Sequence, residues 1–153
     1  GYGVKSQTSA PTKPSIKPYR SRFEFNIALW LEKAGVSFEY EPKKISYLHP
    51  VHQGVCLSCG ATYVGRQAFY LPDFWLPKQN LWVEAKGRWT SSGRTKTLAV
   101  LSSNNELSLD NFRMLFMYDN WLTKKHRQTY TEWCQAQGII CATGVKLPKE
   151  WLI

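Results

Sequence analysis

Hydrophobic and polar positions change period several times along this chain, and each change marks an element. Between residues 21 and 34 the apolar side chains Phe23, Ile27, Trp30, Leu31 and Ala34 recur at helical spacing, with Gly35 as a stop, and predict a helix. Its opening, Ser21-Arg22-Phe23-Glu24, has the form of a capping box. Short strands are predicted at residues 38–41 and 44–48, parted by Pro42. Residues 81–86 alternate as a strand in which Trp82, Glu84 and Lys86 share one face, and the turn at 77–80 folds it back on 74–76. Residues 94–102 predict a helix, 112–118 a buried strand, and 130–136 a helix closed by Gly138. Strands interleaved with helices predict an α/β sandwich.

Charge adds a partner to this picture. The 153 residues, enough for one domain, carry 20 Lys and Arg against 11 Asp and Glu, a net charge of +9, with seven Trp and eight Tyr. Nucleic acid is the natural partner of such a chain. No apolar run approaches the roughly 20 residues that span a bilayer, and no signal-peptide pattern is present, so a soluble, intracellular protein with no membrane partner is expected. The first 22 residues hold Lys5, Lys13, Lys17, Arg20 and Arg22 and no acid, among Ser, Thr and three prolines. That segment reads either as an arm that orders on phosphates or as a solvated tail, and as an arm it would bring Lys13, Lys17, Arg20 and Ser21 to DNA.

Candidate chemistry lies in the middle of the chain. Pro72-Asp73 and Glu84-Ala85-Lys86, with ten residues between Asp73 and Glu84, spell the PD…ExK pattern of metal-dependent nucleases. Between Pro42 and Asn105 the chain holds only two acidic residues, and they are these two. Glu84 and Lys86, two residues apart on one strand face, stand roughly 6.6 Å apart, room for a scissile phosphate and a metal. Phosphodiester hydrolysis needs an activated water and relief of negative charge on the phosphate, and carboxylate-held Mg²⁺ supplies both. Asp73 and Glu84 are expected as metal ligands, with the Ala85 carbonyl as a third, and Lys86 as the cation that orients water and stabilises the phosphorane. The plainer reading is a hairpin with a surface Asp and a Glu/Lys pair; the acid-poor setting argues against it. Glu24 has two readings that spacing does not separate: a helix cap, or a further acid of the site.

Several stretches in order then resemble the phage endonuclease I family of Holliday junction resolvases: Gly1-Tyr2-Gly3, Arg20-Ser21 with Glu24, Phe38-Glu39-Tyr40-Glu41, Tyr70-Leu71-Pro72-Asp73-Phe74, Val83-Glu84-Ala85-Lys86-Gly87, Arg88-Trp89, Trp133-Cys134 with Gly138-Ile139, and Leu147-Pro148-Lys149-Glu150-Trp151. The resemblance covers nearly the whole chain. It implies a restriction-endonuclease-like mixed sheet flanked by helices, and cleavage of four-way and other branched DNA by paired nicks, with Mg²⁺ or Mn²⁺, one or two ions per site. A homodimer is also implied, in which chains exchange segments across a bridge at residues 43–49, so that Glu24 completes in trans the site formed by Asp73, Glu84 and Lys86. Residues 1–19 would be the basic arm and residues 20–153 one nuclease domain, with Arg88, Trp89, Arg94 and Lys96 as DNA contacts. If phage-encoded, the chain would act in the cytoplasm of an infected bacterial host.

The departure from that family lies at about residues 51–68, longer than the family's usual link. Inside it Cys56-Leu57-Ser58-Cys59-Gly60 resembles a zinc knuckle, in which two thiolates grip one side of a tetrahedral Zn²⁺. His49 and His52 would complete a site within one chain; alternatively, two knuckles would meet across a dimer axis as an all-thiolate site. A Cys56–Cys59 disulfide is disfavoured inside a cell, and a loop with two free thiols is the bland alternative. Cys134 and Cys141 read as small buried residues, and His126, beside Lys124, Lys125 and Arg127, as part of a solvated basic loop. Two other functions stay open at this point: a mismatch-repair or transposon-end nuclease on the same core, and a non-catalytic DNA-binding module with a zinc knuckle.

Overall fold

A computed structural model describes residues 16–50, 54–55, 57–63, 65–103 and 105–153. Helix α1, Arg22–Lys33, starts where Ser21 caps it and ends at Ala34 before Gly35 turns left-handed at φ 71°. Strands β1 (Glu39–Tyr40) and β2 (Ile45–His49) follow, then β3 (Gly54–Val55), β4 (Thr62–Tyr63), β5 (Arg66–Tyr70), β6 (Phe74–Leu76) and β7 (Leu81–Lys86). Helix α2 (Ser91–Ser102), strand β8 (Phe112–Phe116), helix α3 (Tyr130–Gln137), strand β9 (Ile140–Thr143) and a final 3-10 turn at Lys149–Trp151 complete the order.

Five strands form one mixed sheet in the order β1-β6-β7-β8-β9, antiparallel from β1 to β7 and parallel from β7 to β9. The antiparallel pair β6–β7 needs only the tight turn at 77–80 and β1 joins β6 from far back in the chain, whereas the parallel pairs need the α2 and α3 crossovers. This is the mixed sheet flanked by helices that the sequence predicts. Helix α1 covers one face through Phe23, Ile27 and Leu31 against Val83, Ala85 and Leu115. On the opposite face α2 and α3 pack Ala99, Val100, Tyr130 and Cys134 against Trp82, Phe112, Met114 and Phe116. Strand β7 is therefore buried on both sides, and its period of two survives only as a division between two cores.

Element boundaries differ from the expected ones for local reasons. Helix α2 begins at Ser91 rather than Arg94, because the Thr90 hydroxyl accepts the Gly93 N–H and caps a first turn that lacks apolar periodicity. In α1, Ala28 takes the buried position expected of Ala34, which is the exposed C-cap. Strand β8 stops at Phe116, and the half-exposed β9 was not expected at all. The stretch expected as a link holds strand among its described residues: β3, β4 and the start of β5, which begins at Arg66 and pairs antiparallel with β2, Ile45 opposite Tyr70 and His49 opposite Arg66. The expected bridge, residues 43–49, is thus mostly one strand of a hairpin, which β3 and β4 extend toward the loop carrying Cys59. Among the described residues no helix is long and apolar enough to cross a membrane.

Candidate active site

The turn before β7 and the pairing of Phe74 with Val83 set Asp73 beside Glu84. The Ala85 N–H donates to Asp73 Oδ2 at 2.8 Å, and the Asp73 N–H donates to Glu84 Oε2 at 3.3 Å, so each carboxylate is held by the other's strand. The Tyr70 hydroxyl also donates to Glu84 Oε2, and Lys86 Nζ lies 3.2 Å from Oε1. Burial, with the Glu84 charge beside it, raises the Tyr70 phenol well above its ordinary range, so it remains a donor. Burial works against the Lys86 charge, but Glu84, with Asp73 and Glu24 behind it, holds the ammonium above its ordinary value.

Glu24 arrives from α1 of the same chain. Its N–H donates to Ser21 Oγ at 3.1 Å, which is the cap. Its carboxylate accepts from the Ser21 hydroxyl at 2.9 Å and from the Tyr40 hydroxyl at 3.1 Å, and it lies in the pocket. The backbone of residue 24 thus serves the helix start, while its side chain takes two hydroxyl donors and faces the site instead of closing the expected capping box on a backbone N–H.

Glu41 is the acid that sequence reasoning missed. It follows β1 in a left-handed conformation, φ 46°, and its N–H donates to the Asp73 carbonyl at 2.7 Å. Arg20 grips its carboxylate from two nitrogens, Nε at 2.7 Å and Nη2 at 3.2 Å. Oxygens of Glu24, Glu41 and Asp73 all lie within 4.8 Å of one another. The signal lay in Phe38-Glu39-Tyr40-Glu41, but only the pairing of Tyr40 with Phe74 carries it to Asp73.

Burial pushes the Asp73 carboxyl up to about 10 from an ordinary 3.8, and the nearby charges of Glu84 and Glu24 push the same way. Three gathered carboxylates, one of them this reluctant to ionise, form a hard-oxygen donor set that suits a divalent cation. They line a pocket of about 460 Å³ with Glu84, and Arg20, Lys44, Lys86 and Lys96 bring positive charge to the same space. Lys96 also lies over the Tyr70 ring, 5.3 Å from its centroid.

Of the expected DNA contacts, Arg20, Ser21 and Lys96 line this pocket. Arg88 is exposed at its edge, and Arg94 donates from Nη1 to the Trp89 carbonyl at 3.0 Å. Lys17 is described but does not line the pocket; Lys13 lies outside the described residues. Trp89 is a correction: only 3% exposed, it packs against Phe116, Tyr130 and Trp133 and is a core anchor, not a surface for DNA. A Cβ on Gly93 would stand 3.0 Å from its ring, so that glycine lets α2 pass close above it. For zinc, Cys59 is exposed as a free thiol and the His49 ring lies against the Pro50 carbonyl at 3.0 Å. Cys56 and His52 lie outside the described residues. Cys134 is fully buried, as expected, and Cys141 partly so.

A mixed sheet that sets Asp73, just ahead of β6, against Glu84-Ala85-Lys86 of β7, beneath a capped helix carrying a third acid, has the arrangement of the PD…ExK class of nucleases. Residues 5–153 match the phage endonuclease I family. Over 153 residues the chain is 31% identical to "Endonuclease I" of Escherichia phage T7, covering 99% of this chain and 86% of that one. It is 31% identical over 141 residues to "Endodeoxyribonuclease 1" of Enterobacteria phage T3, covering 88% and 81%. The chain belongs to the phage endonuclease I family and is a hydrolase that cuts DNA.

Proposed function

We propose that this chain resolves four-way and other branched DNA junctions by paired phosphodiester hydrolysis, as a segment-exchanged homodimer, in the cytoplasm of an infected bacterial cell. The observation that carries this reading is the origin of the acid pocket. Residues 20–41 supply Arg20, Glu24 and Glu41, residues 70–97 supply Asp73, Glu84, Lys86 and Lys96, and the two stretches are connected through the β2–β5 hairpin. Exchange of the first stretch between two copies would keep every local contact while linking two sites, which suits two coordinated cuts.

A divalent cation, Mg²⁺ or Mn²⁺, would be held by Asp73 and Glu84 with Glu24 and Glu41 beside them, and would supply charge to the phosphate oxygens and acidify a water. The protein's own part is positioning. Tyr70 and Lys86 fix the Glu84 carboxylate from two sides, and the Ala85 N–H fixes Asp73. Lys86, kept charged by Glu84, sets its ammonium where negative charge builds on the phosphate during attack. Arg20, Lys44 and Lys96 draw the flanking strand in.

The test is cleavage of a four-way junction beside a linear duplex of the same sequence, in Mg²⁺. Preferential cutting of the junction on paired strands is expected, and equal cutting of both would reduce the reading to a general nuclease. For exchange, inactive Glu24→Gln and Asp73→Asn chains co-expressed as heterodimers should regain one working site. No nicking from proven heterodimers would rule it out.

A further inference from the structure

Next to the acid pocket lies a second cavity of about 470 Å³. The two meet where β7 passes into α2: Gly87, Gly93, Lys96 and Thr97 face the first, while Arg88, Ser91 and Arg94 face the second. Gly87 and Arg88 are one Cα step of about 3.8 Å apart. A DNA strand places a phosphate about every 3.4 Å along its axis, so a strand that runs from the acids past Gly87 and Arg88 meets the second cavity next.

The chemistry of the two cavities differs. No carboxylate lines the second one; its charges are Arg88, Arg94 and Lys124, and among the described residues none of these is in a salt bridge. Asp119 and Glu132, nearby in sequence, are engaged elsewhere: Asp119 accepts from the Thr131 N–H and hydroxyl at 2.9 and 2.7 Å, and Glu132 accepts from the Thr129 hydroxyl at 3.0 Å.

The cavity wall also carries an exposed indole. Trp121 is 45% exposed and stacked on His126, with ring centroids 5.0 Å apart and planes 15° from parallel. The loop that presents it is tied at its base. Trp121 bridges to Thr129, Leu122 N–H donates to the Gln128 carbonyl at 2.9 Å, and His126, left-handed at φ 51°, donates its N–H to the Thr123 carbonyl at 3.2 Å. An aromatic surface fixed in this way loses little freedom when something stacks on it.

We propose that this cavity is a nucleotide subsite for the strand being cut. It takes the nucleotide flanking the scissile phosphate in an unpaired state, the base joining the Trp121–His126 stack and the phosphate lying among Arg88, Arg94 and Lys124. The inference rests on the branched-DNA reading, because a branch point interrupts stacking and eases the unpairing of its flanking nucleotide, whereas inside a duplex that step costs a few kcal/mol. It also goes beyond that reading, since it gives the branch a specific place to be recognised.

The experiment measures binding of the whole chain, in Ca²⁺ to hold back cutting, to three fluorescent probes of one sequence: a four-way junction, a single strand and a blunt duplex. Trp121→Ala should weaken the junction and the single strand by about tenfold, in the range for loss of one base stack, and leave the duplex little changed. Trp121→Phe, which keeps a ring face, should restore most of the loss. Lys124→Ala should reduce the salt dependence of junction binding by about one counterion. Trp121→Ala binding all three probes like the unaltered chain, or weakening all three equally, would overturn the subsite. If the unaltered chain binds junction and duplex alike, the branched-DNA reading fails; the single-stranded probe still decides the cavity.

Discussion

The two cavities on either side of the start of α2 share a wall and have opposite designs. In the first, carboxylates are buried and crowded, each oriented by a fixed donor: Tyr70 and Lys86 on Glu84, Ala85 on Asp73, Ser21 and Tyr40 on Glu24. In the second, Trp121 and Lys124 stand in solvent on a tied loop, with Arg88 exposed and Arg94 half-buried across from them. Crowded buried charge costs stability and is kept where bonds are to be broken. Exposed charge costs little and suits holding. The first cavity should therefore govern rate, and the second affinity.

The largest test of that division is Lys86→Ala. Removing an ammonium placed beside a developing negative charge should lower cutting by on the order of 100- to 1000-fold. Junction binding in Ca²⁺ should remain close to that of the unaltered chain, because Arg88, Arg94 and Lys124 of the second cavity are untouched. Single-turnover cleavage with a parallel binding titration measures both quantities. A variant that loses binding and cutting in equal measure would mean the two cavities act as one.

Glu41→Gln sharpens the boundary from within the acid pocket. Glu41 touches both functions, since its oxygens lie with those of Glu24 and Asp73 while its carboxylate is held by Arg20. Loss of a charge beside a metal site should reduce cutting by about 10- to 100-fold and raise the Mg²⁺ concentration needed for half-maximal rate. Titration of rate against Mg²⁺ checks this. An unchanged Mg²⁺ requirement with weaker DNA binding would reassign Glu41 to the positioning of Arg20.

Both cavities were only partly legible in the sequence: Arg88 and Arg94 of the second stood among the expected DNA contacts, whereas Trp121 and Lys124 did not, and Glu41 of the first was missed. Asp73, Glu84 and Lys86 belong to a hairpin whose turn and alternation are local, so their proximity follows from residues a few positions apart. Helix α1 was equally readable from its apolar spacing and its Ser21 cap. Glu41 reaches Asp73 only because β1 pairs with β6 across more than thirty intervening residues, and a two-residue strand has no pattern to announce that. Trp89 looked like a DNA contact because it follows a catalytic strand in a basic stretch; its burial is decided by Phe116, Tyr130 and Trp133, all from later elements. The β2–β5 pairing hid in what looked like a long link, because β5 is exposed at Arg66, Gln67 and Phe69 and lacks a buried stripe.

The last expected effect concerns stability, and it separates the cavities without any DNA. Asp73 holds its proton up to about 10 in the folded chain, against an ordinary value of 3.8. The folded state therefore binds a proton that the unfolded state releases, and stability falls as pH rises between those two values. Its contribution is fully present below the lower value and is lost as pH passes through the upper one. Asp73→Asn removes this dependence, so in chelator the variant should melt higher than the unaltered chain by about 3 °C for each kcal/mol gained, and the gap should widen from pH 6 to pH 9. Adding Mg²⁺ should reverse the order, because a cation that binds the ionised site stabilises the unaltered chain and has less to hold it in the variant. Lys124→Ala, an exposed change in the second cavity, should shift melting by no more than about 0.5 kcal/mol in either condition. Thermal melts of the three proteins at several pH values, with and without Mg²⁺, give the comparison directly. Equal pH dependence in the unaltered chain and Asp73→Asn would mean that the acid pocket stores no such cost, and the contrast between the two cavities would then rest on DNA alone.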